Sequence, residues 1–149
     1  GKVTINPAPH PSYNTGGNQA LINGIYGSDK RYGDKEWLGF LGDDIEVIID
    51  LEEIKEINTI KTRFYSANGQ WIYAPKKIDL AYSLDGEKYH LLKELEPSST
   101  EHIVKIKAEF KPLNAKYLKI FATNYGIIPE GKQGGGNKAW TFIDEIIIE

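Results

Sequence analysis

Glycoside hydrolysis needs two carboxyl groups that face one substrate, roughly 5–10 Å apart, and Asp144 with Glu145 is the most tempting pair in this chain. The two residues are adjacent in a predicted strand, so their side chains should point to opposite faces. Asp43 and Asp44 are also adjacent, but they fit a solvated turn. The sequence therefore predicts no pair of catalytic carboxyl groups.

The sequence also shows no recognisable set of a catalytic nucleophile and its base. The three histidines, His10, His90 and His102, are far apart in the chain. His102 lies on the apolar face of a predicted strand, where a position in the core or at its rim explains it. No serine lies in a nucleophile-elbow pattern, and cysteine is absent, which excludes disulfide bonds, thiolate metal sites and cysteine nucleophiles. We expect a module without catalytic activity.

Aromatic side chains in irregular segments are better candidates, and they suit a binding surface. Two loops stand out, residues 66–74 and the glycine-rich residues 125–138, because loops longer than about 12 residues are usually functional or disordered. The candidate stacking platforms are Tyr32, Trp37, Trp71 and Tyr73. The candidate hydrogen-bonding side chains are Arg31, Asp34, Asn68, Gln70, Asn124, Glu130 and Lys132.

The tryptophans also have possible places in the core. Trp37 fits a cap over the core as well as it fits a site. Trp71 and Ile72 could instead fold back and plug one end of the domain. Trp140 belongs to an apolar strand face, so we assign it to the core.

The segments that must position these side chains alternate with the period of two that a half-buried strand requires. This pattern predicts strands near residues 45–51, 60–64, 78–84, 89–95, 102–110, 117–122 and 140–148. Asp85-Gly86 supplies the positive φ angles of a tight hairpin turn. The first 44 residues show no sustained period and are predicted to be irregular. Short strands joined by turns favour an antiparallel sandwich.

Size and charge limit the function classes. The 149 residues fit one domain, and the abrupt start at Gly1-Lys2-Val3 suggests a fragment of a longer protein. A net charge of −3 without a basic block offers no source for phosphate-driven nucleic-acid binding and argues against anionic membrane surfaces. No apolar run approaches the roughly 18 residues of a membrane helix.

Segments along nearly the whole chain carry a family resemblance. Ala20-x-x-Asn23-Gly24 is followed by Ser28, and further matches lie at residues 64–75, 78, 83–86, 115–120 and 140–146. In this order they resemble discoidin-like domains, also called coagulation factor 5/8 type C domains. The closing Trp-x-Phe-Ile-Asp-Glu-Ile, together with Trp71-Ile72, looks most like the domain at the C-terminal end of bacterial β-N-acetylhexosaminidases, or chitobiases.

The resemblance implies one all-β, antiparallel jelly-roll β-sandwich of the galactose-binding-domain type over residues 1–149. Many bacterial members are carbohydrate-binding modules of family 32, while others bind phospholipid or protein. It also implies a structural Ca²⁺ held by the carbonyl of Ala20, the side chain of Asn23, Ser28 and the carboxylate of Glu145. The family usually has aspartate at the position of Asn23, so here a neutral ligand replaces a charged one.

We therefore expect a non-catalytic accessory module of an exported bacterial glycoside hydrolase. A flat aromatic ring would cover the C–H face of a sugar and polar side chains would bind its hydroxyls, so one shallow site should bind galactose- or N-acetylhexosamine-type glycans weakly. Its partners would be a glycan and the catalytic domain of the same polypeptide. The alternatives are a protein-interaction or adhesion module, a structural spacer without a sugar site, and membrane insertion through residues 71–73, which the lack of a basic rim opposes.

Overall fold

Strands and loops account for nearly all of the described chain. The computed structural model describes residues 1–97 and 102–149. The strands are β1 (Lys2–Asn6), β2 (Leu38–Leu41), β3 (Ile45–Tyr65), β4 (Lys77–Ser83), β5 (His90–Leu95), β6 (Ile103–Thr123) and β7 (Trp140–Ile148). Three short 3-10 helices span Pro11–Tyr13, Asn18–Ile22 and Asn68–Gln70. Within the described ranges, no helix is long and apolar enough to cross a membrane.

Two long strands build both layers of the sandwich. β3 and β6 are 21 residues each, and all the named strands pair antiparallel. The first part of β3 and the last part of β6 form one layer with β1, β4 and β5. The last part of β3 and the first part of β6 form the second layer with β7 and β2. This confirms the all-β antiparallel sandwich predicted from the sequence.

β3 changes layer at an irregularity of register between Asp50 and Lys55. Glu52 takes a left-handed φ of 72°, and its N–H donates to Asp50 Oδ1 at 2.8 Å. Residues 52–56 are exposed, which interrupts the inward alternation that continues from Ile57. The sequence therefore predicted two strands, whereas the backbone runs through as one. β6 likewise joins two predicted strands.

The core lies between the two layers. Ile45, Val47 and Ile49 of β3 are buried, as are Leu118 and Ile120 of β6. The alternate residues of the first half of β3 are partly exposed. This confirms the inward and outward faces predicted for residues 45–51, since burying one face of each strand is the main apolar contribution to folding.

Two strands lie in the first 44 residues, where the prediction of an irregular segment was wrong. β1 buries Val3 against β3, and β2 buries Leu38 and Phe40 against β7. The strands have five and four residues, which is too short for a period of two to stand out. Pairing with distant strands, rather than local sequence, makes them extended.

The predicted turn between β4 and β5 is present. Gly86 has a φ of 80°, and Ser83 Oγ accepts from the Gly86 N–H at 2.9 Å. The Asp85 carboxylate accepts from the N–H groups of Lys88 and Glu87, each at 2.9 Å. These bonds lower the pKa of Asp85 to about 2.

Candidate functional site

Trp71 stands exposed at one end of the sandwich, on the loop between β3 and β4. Its side chain is 40% exposed. A short 3-10 turn ends at Trp71 with a left-handed φ of 63°, a conformation that costs a non-glycine residue roughly 1–2 kcal/mol. Reciprocal backbone hydrogen bonds between Ala67 and Ile72, at 3.0 and 3.1 Å, close this turn. The loop therefore holds the indole in a fixed position.

The glycine-rich loop packs against the same indole. A Cβ atom added at Gly134 would lie 2.5 Å from Trp71 Cδ1, so this close approach requires glycine. The Tyr73 hydroxyl donates to the carbonyl of Gln133 at 2.8 Å. The Tyr32 hydroxyl lies 3.4 Å from Gln70 Oε1. The structure thus places Tyr32 and the two loops singled out from the sequence side by side.

Trp140 lies at the centre of this surface and separates two hollows. Its ring is half-buried and meets Tyr13 edge-on, with ring centroids 5.2 Å apart. One hollow, of about 120 Å³, is lined by Tyr13, Tyr32, Gln70, Ile72, Trp140 and Phe142. The other, of about 370 Å³, is lined by Leu41, Trp71, Asn137, Lys138 and Trp140. We call the surface formed by Tyr13, Tyr32, Gln70, Trp71 and Trp140 the loop shelf.

Polar groups at the edge of the loop shelf have defined hydrogen-bonding states. His10 packs against Trp140 at 5.1 Å between centroids, and its Nδ1 accepts from the Ser12 N–H at 3.1 Å. The proton of the neutral imidazole therefore sits on Nε2, which is a donor. Burial, with a smaller contribution from Tyr32, raises the pKa of the Tyr13 hydroxyl, so it stays protonated at neutral pH.

Two predicted stacking platforms lie in the interior instead. Trp37 is 1% exposed and its Nε1–H donates to the Ser28 carbonyl at 2.9 Å. Tyr73 is 2% exposed and stacks on Tyr125 with ring centroids 4.5 Å apart. Neither ring has a face free for a ligand. The assignment of Trp37 and Tyr73 as platforms is therefore wrong for this structure, and both are packing residues.

The predicted polar side chains fall into two groups. Those that are exposed are Arg31, Asn68, Gln70, Glu130 and Lys132, and Gln70 reaches the Tyr32 hydroxyl. Asn124 is buried, and its Nδ2 donates to the Ala139 carbonyl and to Thr141 Oγ1. Asp34 accepts from the Glu36 N–H at 3.0 Å and shapes its own turn. Asn124 and Asp34 are therefore structural, which corrects their assignment as ligand-binding groups.

Several residues of the surface were missed from the sequence. Tyr13 and His10 were overlooked because they lie in an irregular segment with no period to read. Lys138 was overlooked at the end of the glycine-rich loop, and its stem packs over Gly42. Trp140 was assigned to the core because its strand is apolar, but its position at the first residue of β7 leaves it at the end of the sandwich.

The buried carboxylate of Glu145 lies against the loop of residues 20–28. Glu145 is 2% exposed, and neither of its carboxylate oxygens has a hydrogen-bond partner of ordinary geometry. Burial raises the pKa of Glu145 to about 7, although the N–H groups of Gly24 and Ile25 face it and oppose this rise. Burying a carboxylate without well-formed hydrogen bonds is costly, and a cation bound here would offset that cost.

The amide of Asn23 joins this loop to a second buried carboxylate. Asn23 Oδ1 accepts from the Ile25 N–H at 2.9 Å, and Asn23 Nδ2 donates to Glu36 Oε2 at 2.5 Å. Glu36 is itself 5% exposed and is a carboxylate that sequence reasoning missed. Within the described ranges, no three carboxylates or imidazoles converge, so amide and carbonyl oxygens would have to complete the set that Ca²⁺ requires.

Asp144 has a different role from its neighbour. Its side chain is fully buried and pairs with Arg63, with Nη2 and Oδ2 2.6 Å apart. It also accepts from the Gly27 N–H at 2.9 Å, while Arg63 donates to the Gly27 carbonyl at 3.1 Å. Burial raises the pKa of Asp144, and the Arg63 hydrogen bond opposes this rise. This ion pair fixes the first loop against β3 and β7.

Known proteins resemble this chain over almost its whole length. A family model described as F5/8 type C domain matches residues 7–146. No curated protein matches the sequence. A solved pectin binding carbohydrate binding module is 22% identical at a TM-score of 0.64, with 100% of this chain and 89% of that chain covered.

Two further solved structures have the same architecture. CpGH89CBM32-5 from Clostridium perfringens, in complex with GalNAc-β-1,3-galactose, is 18% identical at a TM-score of 0.65, with 99% of this chain and 93% of that chain covered. Truncated AlyQ, with CBM32 and alginate lyase domains, is 17% identical at a TM-score of 0.63, with 99% of this chain and 31% of that chain covered. At these identities the likeness shows the fold.

Proposed function

The chain belongs to the F5/8 type C domain family, and from that premise we propose that it is a non-catalytic carbohydrate-binding module. The observation that carries the proposal is the loop shelf, where exposed Trp71 and half-buried Trp140 lie beside amide and hydroxyl groups. An aromatic face with polar groups at its edge suits a sugar, which has an apolar C–H face and a rim of hydroxyls. The glycan complex of the structural neighbour supports this proposal.

The shallowness of the loop shelf sets the expected affinity. Stacking that removes on the order of 100 Å² of apolar surface contributes roughly 2.5 kcal/mol, and each hydrogen bond adds about 1 kcal/mol. Association costs offset much of this sum, so a single sugar should bind with a Kd on the order of millimolar. We propose galactose- or N-acetylhexosamine-type sugars as the ligands.

We also propose that a structural Ca²⁺ is bound beside Glu145. Its ligands would be the carbonyl of Ala20, the side chain of Asn23, Ser28 and the carboxylate of Glu145, with Glu36 as a second carboxylate bonded to Asn23. A bound Ca²⁺ would supply the positive charge that these buried carboxylates otherwise lack. The two unpartnered oxygens of Glu145 support this proposal.

The cellular setting remains part of the proposal. This chain covers 31% of Truncated AlyQ, whose name includes an alginate lyase domain. We infer by analogy that the module is attached to a catalytic domain in one polypeptide, that this domain is a glycoside hydrolase of the chitobiase type, and that the whole protein is exported from a bacterium. Mass measurement of the native protein from its source would test the attachment.

A glycan array followed by titration tests the binding function. The wild-type chain should bind at least one neutral glycan, and Trp71→Ala should weaken that binding about thirtyfold, because it removes roughly 2 kcal/mol of stacking. Leu91→Ala is the control, since Leu91 is an exposed apolar side chain on β5, outside the loop shelf. An array without any bound glycan would reject the function and favour a protein-interaction module or a spacer. Equal losses in both variants would reject the loop shelf.

A further inference from the structure

Four basic side chains lie together on the outer face of the second layer, where β3 pairs with β6. The register places Lys61 opposite Lys107 and Arg63 opposite Lys105, and alternate residues of a strand share a face. Like charges that lie directly opposite each other destabilise a sheet. Each pair therefore needs negative charge nearby, and the protein supplies it for three of these four cations.

The basic side chains line a groove with an aromatic wall. Tyr26 is 53% exposed, and the Arg63 guanidinium lies 4.2 Å from the centre of its ring. A groove of about 260 Å³ is lined by Tyr26, Lys61, Thr62, Arg63, Lys105, Ile106 and Lys107. A second hollow, of about 460 Å³, shares Arg63 and Lys105 with it and also includes His102. We call the surface formed by Tyr26, Lys61, Arg63, Lys105 and Lys107 the cationic groove.

Lys105 is the ammonium group that remains available for a ligand. Lys61 pairs with Glu149 at 3.1 Å, Lys107 pairs with Glu109 at 2.7 Å, and Arg63 is held by buried Asp144. Among the residues that the structure describes, no carboxylate lies within ion-pair distance of Lys105. Because Lys105 borders both hollows, a ligand in either one would meet its charge.

We propose that the cationic groove binds a polysaccharide that carries one carboxylate on each sugar ring. The exposed face of Tyr26 offers a stacking surface for such a ring, and Lys105 offers an ion pair for its carboxylate. Glu109, Glu149 and Asp29 lie at the margins of the groove. They already pair with Lys61, Arg63 and Lys107, whereas nucleic-acid binding depends on several phosphate contacts at once.

The Lys61 end of the cationic groove lies away from the loop shelf, whereas His102 in the second hollow bonds to Tyr65, whose ring centroid lies 5.9 Å from that of Tyr32. Lys61 pairs with Ile147 of β7, which is seven residues from Trp140 along the same strand, or roughly 23 Å at the rise of a strand. The two surfaces can therefore be altered independently. Failure of neutral-sugar binding at the loop shelf would leave the cationic groove untouched.

Titration with polygalacturonate and with its fully methyl-esterified form tests the proposal. Polygalacturonate should bind, and the binding should weaken as salt is raised because screening shortens the range of the charges. The esterified polymer, which keeps the ring but lacks the charge, should bind at least about tenfold more weakly. Lys105→Gln should weaken polygalacturonate binding about fivefold, since an exposed ion pair at 4 Å contributes about that factor.

The matched control is Lys93→Gln, which removes the same charge from exposed Lys93 on β5 in the other layer. It should leave the affinity unchanged. Three results would overturn the proposal: no salt-sensitive binding of polygalacturonate, equal losses in Lys105→Gln and Lys93→Gln, or tighter binding of duplex DNA or anionic vesicles than of polygalacturonate. Melting curves of each variant confirm that it is folded.

Discussion

Exposure gives two of the tryptophans opposite expected effects on stability. Trp37 is 1% exposed and Trp71 is 40% exposed. Trp37→Ala should lower the free energy of unfolding by about 3–5 kcal/mol, because a large buried ring leaves a cavity. Trp71→Ala should change it by about 1 kcal/mol or less, since much of the ring already faces solvent. Urea denaturation of both variants measures this difference, and comparable losses would contradict the exposure of Trp71.

Arg63 is the residue whose removal should harm the first loop most. Arg63→Ala would leave the Asp144 carboxylate buried without its partner, and breaking a buried pair in this way costs about 3–5 kcal/mol. The double variant Arg63→Met with Asp144→Leu removes both charges and should recover much of that loss. Chemical denaturation of the two variants tests this. Recovery would fail if the pair contributed through its hydrogen bonds to Gly27 rather than through its charge.

The sequence could not show which of the two tryptophans is buried and which is exposed. Trp37 and Trp71 both lie in segments without a sustained period, so local pattern carries no information about which ring is covered. Ser28 lies nine residues before Trp37, and Gly134 lies 63 residues after Trp71. The contacts that bury one ring and fix the other are therefore made by tertiary packing.

At the scale of elements, the turn between β4 and β5 should make stability depend on pH. The pKa of Asp85 falls from 3.8 to about 2 on folding, so its contribution is full above about pH 4 and is lost as the pH falls towards 2. Asp85→Asn should therefore lose less stability than the wild type between pH 4 and pH 2. Asp43→Asn, which removes an exposed carboxylate from another turn, is the control. Identical pH slopes for the wild type and Asp85→Asn would refute the role of this turn.

Elements with strong alternation or strong turn chemistry were predictable, and the others were not. The β4–β5 hairpin follows from its sequence because Asp85-Gly86 and the flanking period of two agree. The union of two predicted strands into β3 does not, because residues 52–56 interrupt the pattern while backbone pairing resumes at Lys55. β1 and β2 were missed for the related reason that only distant partners make them strands.

At the scale of the whole molecule, a bound Ca²⁺ should join the first loop to the last strand. A ligand that binds only the folded state stabilises it by mass action, by about 2.7 kcal/mol at a hundred times its Kd. The melting temperature should therefore rise when Ca²⁺ is added after chelation, and Glu145→Gln should abolish the rise. Glu130→Gln, which alters an exposed carboxylate on another loop, should keep it. An unchanged melting temperature together with no metal by elemental analysis would remove the site.

The paths of β1 and β7 also have a mechanical consequence. Lys2 pairs with Asp50 and Ile148 pairs with Ile60, so both strands reach the same β3 within ten residues of each other. Tension applied at residues 1 and 149 would enter and leave through this short stretch of β3. The load would bypass Trp140 at the far end of β7, roughly 26 Å away at the rise of a strand. If the domain were pulled at its two termini, the loop shelf would therefore carry no tension until β1 or β7 separated from β3.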